Sequence, residues 1–124
     1  HGSTFGGNPL ACSAALAVLA AIRSGNLTER ATVLGQRILA GLRESLTGCE
    51  LVTEIRGRGL MLGIELNRPS THLPAAGLEK GILFSVQSDK VIRLLPPLIV
   101  SDAEADEIVA RVGTIVREDA ARGA

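Results

Sequence analysis

The chain is expected to fold as an α+β layer, a small antiparallel or mixed sheet with helices on one side, and three observations on its 124 residues lead there. The pattern reads helix, helix, two strands, short helix, two strands, helix, without internal repeat. A stripe of apolar residues at steps of three or four runs through residues 27–46, while the central segments are short and separated by glycine-bearing turns. Ser/Asn residues stand where helices should begin, two of them with Glu three positions on. A chain of this length has room for one domain and buries roughly two thirds of its unfolded surface.

After a polar opening at residues 1–7, Asn8 is placed to cap a helix with Pro9 at its first position, running over 9–24 and stopping at Gly25. Between Leu10 and Ile22 the only polar residue is Ser13, so this helix has no solvent face. A helix apolar all round is normally buried on all sides, which points to a partner surface outside the chain, another domain or another subunit. Helix two is predicted to open at Asn26, with Glu29 completing a capping box, and to continue to Leu46 before Gly48. Leu27, Ala31, Leu34, Ile38, Leu42 and Leu46 form its core stripe.

Strands are predicted over 51–56 and 60–66, joined by Gly57, Arg58 and Gly59. A loop with Pro69 and Pro74 leads to a short helix over 75–80 that ends at Gly81. Strands over 82–86 and 91–95 enclose a turn at Gln87, Ser88 and Asp89, and Pro96-Pro97 ends the second. Ser101 and Glu104 form another capping box, opening a helix with Ile108, Val112, Ile115 and Val116 on one face.

Composition excludes several classes of function. Thirteen basic against thirteen acidic residues leave no net charge, and two Phe with no Tyr or Trp offer little to stack on bases, so no nucleic acid is expected as partner. With 46% hydrophobic residues and a mean hydropathy of +0.29 the chain is too apolar for disorder. The longest apolar stretch is too short to span a bilayer, so no membrane is expected either and a cytoplasmic setting follows. Cys12 and Cys49 lie far apart, with no CxxC and no cluster with His1 or His72, and read as reduced, buried thiols rather than metal ligands. The chain begins at His1 and its one methionine is Met61, which reads as a piece of something longer.

Three places could carry chemistry. Ser3-Thr4-Phe5-Gly6-Gly7-Asn8-Pro9 sets two hydroxyls and two glycines before a helix N-terminus, where free N–H groups and the helix dipole favour an anion such as phosphate; a plain capping loop is the alternative. Arg56 and Arg58 on a hairpin could hold a carboxylate or simply stay in water. Arg93, inside Val91-Ile92-Arg93-Leu94-Leu95-Pro96-Pro97, has apolar neighbours on both faces of a strand, and a charge buried there needs an acceptor, either an internal glutamate such as Glu65 or the carboxylate of a ligand. No nucleophile and base pair assembles: both histidines fall in loops, and Ser3 near His1 lacks an orienting group. Asp102, Glu104, Asp106 and Glu107 suit the dipole of the last helix rather than acid-base work.

The run from His1 through Gly2-Ser3-Thr4-Phe5-Gly6-Gly7-Asn8-Pro9-Leu10-Ala11 to Cys12 resembles a segment of the class III (ω-amino acid) aminotransferases. Two further blocks match in order, Arg56-Gly57-Arg58-Gly59-Leu60-Met61-Leu62-Gly63-Ile64-Glu65-Leu66 and Val91-Ile92-Arg93-Leu94-Leu95-Pro96-Pro97-Leu98. The resemblance spans essentially the whole chain and is most like the acetylornithine aminotransferases of arginine biosynthesis, with ornithine and 4-aminobutyrate aminotransferases as alternatives. It implies a pyridoxal 5'-phosphate enzyme of fold type I, a homodimer with active sites at the subunit interface. Thr4 would give its hydroxyl and backbone N–H to the cofactor phosphate of the neighbouring subunit. Ser3 would touch the acetylornithine substrate, and Arg93 would receive the α-carboxylate of the amino acid or of 2-oxoglutarate.

By the same resemblance, residues 1–27 form the phosphate loop and a connecting helix packed on a large domain, and 28–124 the small C-terminal domain. The family's Schiff-base lysine, the aspartate facing the pyridine nitrogen and the ring-stacking aromatic precede the matching segment. Lys80 and Lys90 match none of these, so no catalytic residue is assigned and no transamination is expected of this chain by itself. A freestanding anion-binding module is the reading from another class, and the apolar helix over 9–24 argues against it.

Overall fold

The computed structural model describes residues 2–123, so His1 lies outside the described residues. Helix α1 is Pro9–Ser24, with the Asn8 side chain accepting from the Ala11 N–H at 3.0 Å, Pro9 in the first turn and Gly25 as C-cap. Its boundaries are those the sequence predicts, but none of its residues is buried within the chain. Helix α2, Leu27–Ser45, follows at a bend of 60°. The capping box expected at Asn26 does not form. Asn26 takes the left-handed conformation, φ 51°, to turn this corner, and its side chain makes no cap bond. Its carbonyl instead accepts from the Arg30 N–H at 3.0 Å.

Strands β1 (Val52–Arg58) and β2 (Met61–Leu66) form a hairpin whose last pair is Arg58 with Met61. Gly57 and Arg58 therefore belong to the strand, and the turn is Gly59-Leu60. Gly59 at φ +54° supplies the left-handed backbone that so tight a connection requires. Helix α3 spans Leu73–Glu79, starting two residues earlier than expected with His72 as N-cap and Pro74 in its first turn. Strand β3 is only Ser85–Gln87, and β4 is Val91–Leu94. Ser85 pairs with Arg93, the end of this ladder, and the Ile82 N–H donates instead to the Gly77 carbonyl at 2.9 Å, so the residues before Ser85 leave α3 without joining the sheet. Helix α4, Asp102–Arg122, opens with the expected capping box: Ser101 Oγ accepts from the Glu104 N–H and Glu104 Oε2 accepts from the Ser101 N–H at 2.8 Å.

The sheet runs β1-β2-β4-β3 and every pairing is antiparallel, so the mixed alternative is not realised. One face is apolar. Leu62, Ile64 and Leu66 of β2 and Ile92 and Leu94 of β4 bury there with the stripe Ala31, Leu34, Ile38, Leu42 and Leu46 and with Val112, Ile115 and Val116. Ile64 pairs with Ile92 across the middle of the core, and both are wholly inaccessible. Ile108 packs only at the margin. On the opposite face, among the described residues, no helix lies over the strands, and the alternation of period two puts Met61, Gly63, Glu65 and Arg93 there.

Candidate functional site

Two regions hold the residues singled out above. The first is the loop before α1. Ser3 Oγ accepts from the Gly6 N–H at 3.1 Å, which folds the loop back on itself and leaves the Ser3 hydroxyl proton to donate elsewhere. Asn8 Nδ2 donates to the Phe5 carbonyl at 2.7 Å and fixes the entry to the helix. Among the described residues, neither the Thr4 hydroxyl nor its backbone N–H is engaged, and both are exposed. The first turn of α1 carries no acidic residue, and the first carboxylate in the chain is Glu29. Uncommitted donors at a helix N-terminus with no resident carboxylate fit a phosphate dianion.

The second region is the open face of the sheet. Arg93 lies there exposed, between the buried Ile92 and Leu94 in sequence but on the other face of the strand, so it is not enclosed by apolar neighbours as the sequence reading held. The internal acceptor considered for it is also taken. Arg56 Nη1 donates to Glu65 Oε2 at 2.7 Å and to Glu54 Oε2 at 2.5 Å, and the Glu65 hydrogen bond, offset in part by desolvation, holds the Arg56 guanidinium above its ordinary value. Among the described residues, Arg93 has no acceptor. Arg56, Gly63 and Arg93 fall in one row across β1, β2 and β4, since Arg56 pairs with Gly63 and Gly63 with Arg93. Together with Arg58, Met61 and Gln87 they line a shallow depression of about 430 Å³. Ser3 and Thr4 do not line it, so the chain does not bring its two candidate regions into one cavity.

A larger groove of about 490 Å³ beside the end of β4 is mainly apolar, lined by Leu83, Leu95, Pro97 and Ile99. Leu83 and Ile99 there are 81% and 79% exposed. Cys12 is exposed, not buried as expected, because α1 has no cover within the chain; Cys49 is partly buried, and both thiols are free.

Sequence reasoning missed one polar cluster. The buried Asp119 of α4 accepts from Arg68 Nη2 at 3.1 Å and pairs with His72 Nε2 at 2.6 Å, fastening the loop before α3 to the last turns of α4. Burial pushes the Asp119 carboxyl up, and the His72 and Arg68 interactions more than offset this, leaving it below the usual carboxylate range. The 47-residue separation of His72 and Asp119 left no local signal. The acids of α4, read as partners of its dipole, also bridge to α2: Asp102 meets Arg30 and Arg37, and Asp106 meets Arg37 at 2.6 Å.

The family model "Aminotransferase class-III" matches residues 1–116. Acetylornithine aminotransferase 1 of Bordetella pertussis is 48% identical over 118 residues, and ornithine aminotransferase 1 of Staphylococcus saprophyticus is 42% identical over 118. Each match takes in 95% of this chain, which spans about 30% of the length of those relatives. The crystal structure of acetylornithine aminotransferase from Elizabethkingia anophelis matches at a TM-score of 0.88 and 35% identity over 95% of this chain and 31% of that one. Ornithine aminotransferase from Plasmodium yoelii matches at 0.88 and 33% identity, over 94% and 32%. The family works with pyridoxal 5'-phosphate, a cofactor whose phosphate the loop before α1 fits. With the family model matched over residues 1–116 and solved aminotransferases superposing on nearly the whole chain, the chain belongs to the class-III aminotransferases.

Proposed function

We propose that this chain supplies the substrate-carboxylate arginine and the phosphate loop of an acetylornithine-type aminotransferase, as its C-terminal portion. The parent converts N2-acetylornithine and 2-oxoglutarate to N-acetylglutamate 5-semialdehyde and glutamate, a step of arginine biosynthesis in the cytoplasm. The observation that carries the reading is Arg93, a guanidinium held on a rigid strand with no acceptor among the described residues, Glu65 being bonded to Arg56. A planar fork of donors in that setting suits a carboxylate held bidentately. Thr4 gives its hydroxyl and N–H to the phosphate of pyridoxal 5'-phosphate in the neighbouring subunit of a homodimer, and Ser3 donates to the substrate. When bound, that cofactor supplies the electron sink for breaking the bond to the amino-bearing carbon.

Residues 1–27 then act as loop and connecting helix, and 28–124 as the small domain. The exposure of Leu10 at 80% and Leu16 at 67%, and the apolar groove at Leu83 and Ile99, support a large domain covering these surfaces, since a freestanding module would leave them in water. Ornithine is the second donor to consider, because ornithine aminotransferases match the fold and sequence nearly as well. The chain by itself is proposed to be inactive.

The experiment is an exchange. This chain replaces the matching segment of the Bordetella pertussis relative, and amino transfer from acetylornithine and from ornithine to 2-oxoglutarate is measured in the hybrid and in the isolated chain. Activity in the hybrid with preference for acetylornithine supports the proposal. A folded hybrid without activity, or turnover by the chain alone, defeats it.

A further inference from the structure

The open sheet face carries more charge than one carboxylate receptor needs. Three guanidiniums, Arg56, Arg58 and Arg93, share it with two carboxylates, Glu54 and Glu65. Adjacent strands lie about 4.8 Å apart, so Arg56 and Arg93 flank Gly63 at roughly 10 Å between backbones, with no side chain standing between them. Glu65 is two residues along β2 from Gly63 and so lies diagonal to both arginines, a relation within reach of long side chains. Of the two, it bonds only Arg56.

We infer that Arg56 is a positioning residue for the carboxylate site: by holding Glu65 and Glu54 together it keeps Glu65 away from Arg93 and so leaves the Arg93 guanidinium open to the ligand. Without Arg56, Glu65 faces one remaining diagonal cation, and an internal carboxylate tethered beside Arg93 competes with any ligand for it. The role needs no contact between Arg56 and the ligand. It also explains why two acidic side chains can sit on a face that must attract an anion, since one arginine engages both. This inference rests on the reading of Arg93 given above.

The test is a titration of the chain, uniformly labelled with nitrogen-15, with 2-oxoglutarate at low ionic strength, following the Arg93 Nε–H and the Gly63 amide by NMR. Arg56→Gln is expected to weaken binding roughly threefold to fivefold, the ratio that one exposed ion pair can hold. Adding Glu65→Gln to that variant restores the affinity, which the loss of a merely structural arginine would not allow. Arg56→Lys, which keeps a cation there and preserves the fold if Arg56→Gln does not, gives an intermediate weakening that Glu65→Gln again cancels. Unchanged affinity in both Arg56 variants, or weakening that Glu65→Gln fails to reverse, overturns the inference while leaving the role of Arg93 standing. Arg93→Gln separates the two ideas. If the unsubstituted chain gives no saturable response, or if the Gly63 response survives Arg93→Gln, the carboxylate reading falls and this inference falls with it.

Discussion

Gly35→Ala probes the contact that sets the sheet against α2. A Cβ at Gly35 would stand 2.0 Å from the carbonyl oxygen of Gly59 and 2.6 Å from its carbonyl carbon. Real Cβ atoms essentially never come within 3.0 Å of another heavy atom, so helix and hairpin turn must separate by about 1 Å. Both contact atoms belong to the backbone, so no rotamer change relieves the clash. Ala in a helix interior gains about 1 kcal/mol over Gly. Overpacking of a close contact costs about 1–3 kcal/mol, and a backbone contact belongs at the upper end of that range. The net expectation is a loss of about 1–2 kcal/mol, or a midpoint lower by roughly 4–8 °C for a chain of this size. Thermal and urea unfolding followed by helical circular dichroism measure it, with Gly41→Ala as comparison because its Cβ would meet side-chain atoms of Val109 and no backbone. A gain in stability for Gly35→Ala would refute the close approach, since the propensity term would then act alone.

Three further outcomes follow from the same physics. Asp119 has a folded-state carboxyl below its ordinary value, so its contribution is complete above the unfolded value near 4 and is lost as pH falls through the lower folded one. Asp119→Asn should lower stability at neutral pH by about 1–2 kcal/mol and flatten the acid limb in that window; an unaltered acid limb contradicts the cluster. Asn26→Gly, at φ 51° with no cap bond to lose, should be neutral or stabilising by up to about 1 kcal/mol in the same unfolding assay, where a true capping asparagine would give a loss. Thr4→Ala in the hybrid enzyme should weaken cofactor affinity at least about tenfold, the scale of a charge-assisted hydrogen bond, as read by cofactor absorbance during dialysis.

Much of the fold is legible in the sequence because local chemistry and packing agree there. Pro9 after Asn8, and Ser101 with Glu104, fix the starts of α1 and α4, and the stripe from Ala31 to Leu46 fixes the buried side of α2. The misreadings occur where tertiary geometry overrides a local signal. Asn26 carries the residues of a capping box, yet the corner between α1 and α2 demands a left-handed residue and takes the side chain out of capping position. The hairpin pairs through to Arg58 because Gly59 makes the turn, and β3 begins only at Ser85 because the chain leaving α3 commits the Ile82 N–H to the Gly77 carbonyl.

The candidate site divides in the same manner. Its residue types are readable from the motif blocks, but the side of the strand on which Arg93 lies is a matter of register. Its apolar sequence neighbours suggested enclosure, whereas period-two alternation puts them on the core face and Arg93 on the open one. The engagement of Glu65 by Arg56 depends on which residues stand across the hairpin, and the Asp119 cluster joins positions about fifty residues apart. Neither can be deduced from spacing along the chain.

The central claim is that Arg93 receives the substrate carboxylate, and Arg93→Gln in the hybrid enzyme tests it most directly. The keto carbon of 2-oxoglutarate bears its α-carboxylate directly, whereas the amino-bearing carbon of acetylornithine lies three bonds from the carbon that bears its carboxylate. One fixed guanidinium beside the reacting carbon therefore serves 2-oxoglutarate, and the account predicts that the KM for 2-oxoglutarate rises. The expected rise is of order 10²-fold, the loss of one charge-paired ligand contact, with cofactor binding intact. An unchanged KM for 2-oxoglutarate in a folded, cofactor-loaded hybrid would contradict the account.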